Sequence, residues 1–141
     1  MTTRTATARY TGFGKEGRGA LTTQSGVLKD QYYGFNSRFE EEPGTNPEEL
    51  IAAAHAGCFT MALSFALARA GFSDGTLETK AAVKLDQVEG GFAITHSDLT
   101  LTANVPGISH DQFDALAHGA KENCPVSKVL NAEVTLTYSL A

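Results

Sequence analysis

Cysteine is the side chain here whose reactivity depends most on its surroundings, because the thiolate reacts and the thiol does not. The chain has two, Cys58 and Cys124, 66 residues apart and outside any Cys-x-x-Cys spacing. That spacing argues against a thioredoxin-like pair and against a zinc ribbon. Cys58 lies inside a long apolar run, where burial alone raises a thiol's pKa and silences it. It is also about three turns past the expected helix start, beyond the reach of the helix dipole. A reactive Cys58 therefore needs a cation beside it. The sequence offers Arg38 and, one turn earlier, His55. Arginine is the better choice, since it keeps its charge in an apolar site. Cys124 directly precedes Pro125, at the expected cap of a short helix, where unpaired N–H groups favour a thiolate. Lys121 and Lys128 add positive charge nearby. Each cysteine also has a plainer reading, Cys58 as a small core hydrophobe and Cys124 as an ordinary cap residue.

Glu48 is the natural partner for Arg38. Ten residues separate Glu48 from Cys58, roughly 15 Å along one straight helix. Within that helix the two cannot meet. They can meet if two such helices cross antiparallel on a two-fold axis near Ala52–Gly57, a stretch of small side chains around His55. The expectation is a homodimer in which the helix start of one chain faces Cys58 of the other.

Other constellations carry less. His55, His96, His110 and His118 make no metal-ligand pattern with the cysteines, so no metal site is expected. His55 and Cys58 are three apart and suit a Cys–His hydrolase pair as an alternative. Gly12-x-Gly14-x-x-Gly17 matches the letters of a dinucleotide fingerprint. It lacks the following helix and the βαβ context that would give it meaning.

The elements that must position these residues follow from pattern and punctuation. Thr5 to Tyr10 reads as an opening strand, and the glycines from Gly12 to Gly19 as a turn region. Ala20–Thr23 and Val27–Gln31 flank Ser25-Gly26 as a hairpin. Tyr32–Phe39 reads as an aromatic strand or extended edge that carries Arg38. Asn46-Pro47-Glu48-Glu49 is a strong helix start, with a capping asparagine, proline in the first turn and two acids at the positive end of the dipole. That helix should run to about Ala70 and stop at Gly71. It is apolar nearly all round and is expected to be central and buried. Thr76–Val88 and Phe92–Val105 form two long strands joined at Gly90-Gly91. Ser109 and Gln112 open a helix ending near Asn123. Cys124-Pro125 restarts a short helix to Leu130, and Val134–Leu140 is a final strand. The class is α+β, with antiparallel sheets around a long central apolar helix.

Composition narrows the function. At 141 residues with 42% hydrophobic residues the chain suits a single domain, 1–141. A net charge of -5 argues against a nucleic-acid partner and a polybasic membrane anchor. The apolar run Leu50–Phe72 is Ala-rich and contains His55, Ser64 and Arg69, so a soluble helix is expected rather than a membrane span. The N-terminus lacks an apolar signal core, and a cytoplasmic, reducing setting is expected.

The stretch Asn46-Pro47-Glu48-Glu49-Leu50-Ile51-Ala52-Ala53-Ala54-His55-Ala56-Gly57-Cys58-Phe59 resembles a signature of the OsmC/Ohr family of organic hydroperoxide reductases. Cys124-Pro125-Val126-Ser127-Lys128 resembles the second, and Tyr33–Phe39 is more similar to the OsmC branch than to the Ohr branch. The resemblance implies an intertwined homodimer with an attacking Cys58, a resolving Cys124 and a supporting Arg38–Glu48 pair. It implies a peroxidase cycle through a Cys58 sulfenic acid and a Cys58–Cys124 disulfide, reduced by an external lipoyl-type dithiol, with no cofactor. Phe35, Phe39, Phe59 and Met61 are candidates for a pocket that prefers alkyl or aryl hydroperoxides. Two other classes stay open: a redox sensor or binding protein using the same thiols without turnover, and a structural dimer with inert cysteines.

Overall fold

The structure, a computed structural model, describes all residues, Met1 to Ala141. The chain divides into two compact units, Met1–Leu50 and Ile51–Ala141.

In the first unit β1 (Ala6–Thr11), β2 (Arg18–Thr23) and β3 (Gln31–Tyr33) form an antiparallel sheet in the order β1-β2-β3. A 3₁₀ turn at Gly14–Glu16 joins the first two. The hairpin expected around Ser25-Gly26 is a longer loop. β2 stops at Thr23, whose hydroxyl accepts the Leu28 N–H at 3.1 Å, and pairing resumes only at Gln31. The aromatic strand also ends early. After Tyr33 the chain turns into the short helix α1 (Phe35–Phe39), so Arg38 sits on a helix and not on a strand. Ser37 explains the switch. Its buried hydroxyl accepts the Gly34 N–H at 2.8 Å and donates to the Thr45 carbonyl at 2.9 Å, giving the backbone local partners in place of a ladder.

Helix α2 (Pro47–Arg69) begins where the sequence places it. Asn46 Oδ1 accepts the Glu49 N–H at 2.7 Å, while the Glu49 carboxylate accepts from the Thr45 hydroxyl at 2.8 Å. At the other end Phe72 N–H bonds to the Leu67 carbonyl at 3.0 Å across Gly71, whose φ of +96° suits the left-handed C-cap that glycine adopts without strain.

The second unit packs the body of α2 with β4 (Thr76–Val88), β5 (Gly91–Asn104), α3 (His110–Asn123), α4 (Pro125–Val129) and β6 (Glu133–Leu140). β4 and β5 are the predicted long antiparallel pair. β6 lies parallel to β5, which makes this sheet mixed rather than wholly antiparallel. The reason is the connection: α3 and α4 carry the chain back before β6 begins, and parallel pairing requires such a crossover. β5 is the middle strand, and its Ser97, Leu99, Leu101 and Ala103 alternate inward. They meet Phe59, Leu63 and Leu67 of α2 and Phe113, Ala117 and Ala120 of α3 in the core.

Helix α2 is not buried all round. His55, Phe59, Leu63 and Leu67, spaced by four, form the buried stripe. Ala53, Ala54, Gly57, Met61 and Phe65 are exposed, Met61 at 62% and Phe65 at 58%. Within this unit one sheet and one long helix cover a single side of α2, and a second apolar side is left over.

Candidate active site

Cys58 and Cys124 come together in the second unit. Cys58, half-buried on α2, packs against the core that contains Cys124, fully buried between α3 and α4, and each thiol shifts the other. The Cys124 N–H closes α3 on the Ala120 carbonyl at 2.9 Å, and its own carbonyl receives the Lys128 N–H of α4 at 3.1 Å. The sulfur is therefore fixed at a helix junction. Pro125 at the first position of α4 fits this use of the chain.

The surroundings treat the two sulfurs differently. Burial pushes the Cys58 thiol up, its hydrogen bond to Cys124 adds to this, and the Val126 N–H opposes both. Burial is also the largest single influence on Cys124 and pushes it up. The Cys58 thiol, Ser127 and the Val126 backbone act the other way, and together they hold Cys124 below the usual thiol value. Of the two thiols, Cys124 is the more readily deprotonated. The expected lysines contribute little to this: the Lys121 ammonium is directed at the Val134 carbonyl at 3.4 Å, and Lys128 is exposed.

His55 does not pair with Cys58. It is fully buried, with Nδ1 2.6 Å from Ser97 Oγ and Nε2 2.8 Å from Ser127 Oγ. Both ring nitrogens are occupied by serine hydroxyls, which removes the Cys–His hydrolase alternative. Burial holds the ring below its ordinary value, so it is neutral at pH 7.

In the first unit Arg38 and Glu48 form a fork: Nε to Oε1 at 3.0 Å and Nη2 to Oε2 at 3.1 Å. The carboxylate is nearly buried, while the arginine side chain is 37% exposed. A two-point Arg–carboxylate pair fixes the plane of the guanidinium and leaves its remaining N–H groups free to address another anion. Arg38 also lies 5.3 Å from the Phe39 ring centroid. Phe35 and Phe39, their rings 5.0 Å apart, line a cavity of about 180 Å³ with Arg38, Tyr10 and Tyr33. Phe59 is placed elsewhere, in the apolar core at 0% exposure. Met61 is on the exposed side of α2.

Two residues at the thiols had no assigned role in the sequence reading. Ser127 carried a usable signal, a hydroxyl three positions after a helix-cap cysteine. Ser97 carried none, since only the packing of β5 against α2 brings it to His55.

Residues 39–139 match the family described as OsmC-like protein. The chain is 55% identical over 133 residues to peroxiredoxin OsmC of Escherichia coli (strain K12), covering 94% of this chain and 93% of that protein. It is 32% identical over 123 residues to organic hydroperoxide resistance protein OhrB of Bacillus subtilis (strain 168), covering 86% of this chain and 88% of that one. The crystal structure of OhrB superposes with a TM-score of 0.71 over 99% of this chain and 98% of its own. An organic hydroperoxide resistance protein from Elizabethkingia anophelis superposes at 0.77, with 29% identity over 100% of this chain and 98% of that one. The cysteine pair, the α+β architecture and these similarities agree: the chain belongs to the OsmC-like protein family.

Proposed function

We propose that this protein is a thiol-dependent peroxidase that reduces organic hydroperoxides and, more weakly, hydrogen peroxide. The observation that carries the reading is the pair of free cysteines held side by side, one half-buried and one fully buried. The family membership and the names of the relatives, a peroxiredoxin and a hydroperoxide resistance protein, support the same chemistry.

In this reading Cys58 attacks one peroxidic oxygen. Cys58 reacts as the thiolate, the O–O bond breaks, the alkoxide leaves and takes a proton from solvent as alcohol, and Cys58 becomes a sulfenic acid. Cys124, the more readily deprotonated thiol, attacks the Cys58 sulfur as thiolate and displaces hydroxide, which solvent protonates. The resulting disulfide protects Cys58 from overoxidation. An external dithiol of the lipoyl type returns both thiols. Sulfur carries the electrons throughout.

The thiol of Cys58 is raised in the single chain, so the attack needs the cation expected from the sequence. The whole chain, 1–141, acts as one functional domain in an intertwined homodimer. Its uncovered α2 faces pack together, and an Arg38–Glu48 fork stabilises each Cys58 thiolate and orients the peroxide. Phe35 and Phe39 beside Arg38 would receive an alkyl or aryl group. Met61 would join them where α2 faces its partner, while Phe59 supports the helix from the core. The setting is cytoplasmic, with no nucleic-acid or membrane partner. α2 is long and apolar enough to span a bilayer, but its apolar stripe is used in a folded core.

A raised Cys58 beside a lowered Cys124 also suits a redox sensor that oxidises once. Turnover separates the two. With excess cumene hydroperoxide and dihydrolipoamide the peroxidase consumes many equivalents per subunit, and Cys58→Ser consumes none. A single stoichiometric burst without recycling would favour the sensor.

A further inference from the structure

The buried histidine beside the thiols belongs to no step described so far. His55 on α2 joins Ser97 on β5 and Ser127 on α4, with heavy-atom distances of 2.6 and 2.8 Å. Ser127 stands in the first turn of α4, three residues after the cap residue Cys124, and acts to lower the Cys124 thiol, which in turn neighbours Cys58. Two hydrogen bonds thus run from Ser97 through His55 to Ser127, and Ser127 brings them to the turn that Cys124 caps.

A neutral imidazole has one N–H and one acceptor nitrogen. A hydroxyl has one proton. If Ser127 spends its proton on the sulfur, its oxygen must accept from His55, so Nε2 carries the N–H. Nδ1 is then the acceptor and takes the Ser97 proton. This arrangement satisfies both ring nitrogens and the Ser127 hydroxyl, and it points every proton towards Cys124. The reverse arrangement would aim the Ser127 proton at the ring and leave the sulfur without that donor. A polar group in an apolar core costs free energy unless it is paired. A chain of three such groups ending on one sulfur is a poor way to build a core and a good way to hold an anion.

We infer that Ser97, His55 and Ser127 form a positioning relay that holds Cys124 as a thiolate, aimed at Cys58, for the step that converts the sulfenic acid to the disulfide. The inference rests on the peroxidase reading and deepens it. The Cys124 sulfur supplies an electron pair to the Cys58 sulfur, the S–S bond forms, the S–O bond breaks and hydroxide leaves with its pair. Cys58 is reduced from the sulfenic level as Cys124 is oxidised, so the step needs no outside electrons. The relay touches neither peroxide nor Arg38. It acts on the second step and leaves the first alone.

The variants are Ser127→Ala, Ser127→Thr, which keeps the hydroxyl, and His55→Gln. Rapid mixing with cumene hydroperoxide separates formation of the Cys58 sulfenic acid from formation of the disulfide. Ser127→Ala and His55→Gln should form the sulfenic acid no more slowly than the wild type. They should close the disulfide at least about tenfold more slowly, the effect of losing one hydrogen bond to a charged group. Excess peroxide should then drive more Cys58 to the sulfinic acid. Ser127→Thr should restore disulfide formation. Equal slowing of both steps, or unchanged disulfide formation in Ser127→Ala, would overturn the relay. If the wild type itself forms no sulfenic acid, the peroxidase reading fails, and thiolate absorbance in Cys58→Ser still tests the relay. There Cys124 faces only the neutral His55 through Ser127, with Lys121 turned to Val134 and Lys128 exposed. Adding Ser127→Ala should move its titration to higher pH, and no movement would overturn the relay.

Discussion

Arg38 carries a fixed charge, and in the proposed peroxidase the raised Cys58 thiol needs one. The fork with Glu48 holds the guanidinium flat and oriented, so Arg38→Ala should slow sulfenic acid formation by about 100-fold with little change in disulfide closure. Arg38→Lys should restore only part of the rate, because an ammonium cannot make the two-point pair. Rapid-mixing traces of single turnover check both, and an unchanged first step would remove Arg38 from the chemistry. His55 gives a second prediction. Its folded value is lowered by burial, so below about pH 6.5 the unfolded chain binds a proton that the folded chain refuses. Stability is full above that pH and falls as the pH drops. Urea unfolding at about pH 7 and about pH 5.5 should show the wild type losing more stability than His55→Gln. At this scale the pairing of Arg38 with Glu48 was legible from residue type, while the roles of the two cysteines rest on the family resemblance. The difference in activation was half legible: the cap position of Cys124 pointed to a favoured thiolate, but the donors that enforce it come from Ser127 and Val126 rather than from the lysines. Ser97 was invisible, because only tertiary packing makes it a neighbour of His55.

Among the elements, α2 shows what local sequence determines and what it leaves open. Its start at Asn46 and its stop at Gly71 rest on caps that act within a few residues, and both are found where the sequence puts them. α1 shows the opposite case. Tyr32 to Phe39 has strand-like composition, yet Phe35 and Phe39 are four apart, a spacing that also suits one helix face, and Ser37 tips the balance. β6 could be placed but not oriented, since its direction depends on where α3 and α4 deliver the chain. The buried stripe of α2 should dominate stability. Leu63 is fully buried against the β5 and α3 core, so Leu63→Ala should cost about 2–5 kcal/mol in denaturant unfolding. Gly75 has φ +138°, and a Cβ there would collide with the Asn104 carbonyl oxygen, so Gly75→Ala should destabilise by about 2 kcal/mol.

For the whole molecule the unanswered surface is the exposed side of α2. An apolar helix face with Met61 and Phe65 outward beside Gly57 is the surface a second copy would cover. Composition alone showed that α2 was apolar all round, but not that a single chain buries only one stripe of it. Met61→Glu with Phe65→Glu should convert a dimeric mass in light scattering to a monomeric one. In the proposed dimer it should also abolish peroxidase turnover, by taking Arg38 away from Cys58. A wild type that is monomeric at working concentration and still turns over would contradict this assembly. The central claim is narrower: that Cys58 and Cys124 are one redox couple. Mass spectrometry after one equivalent of cumene hydroperoxide tests it directly. The account predicts an intramolecular Cys58–Cys124 disulfide in the wild type and overoxidised Cys58 in Cys124→Ser under excess peroxide. Peroxide reduction that persists in Cys58→Ser, or two thiols left free in the treated wild type, would contradict it.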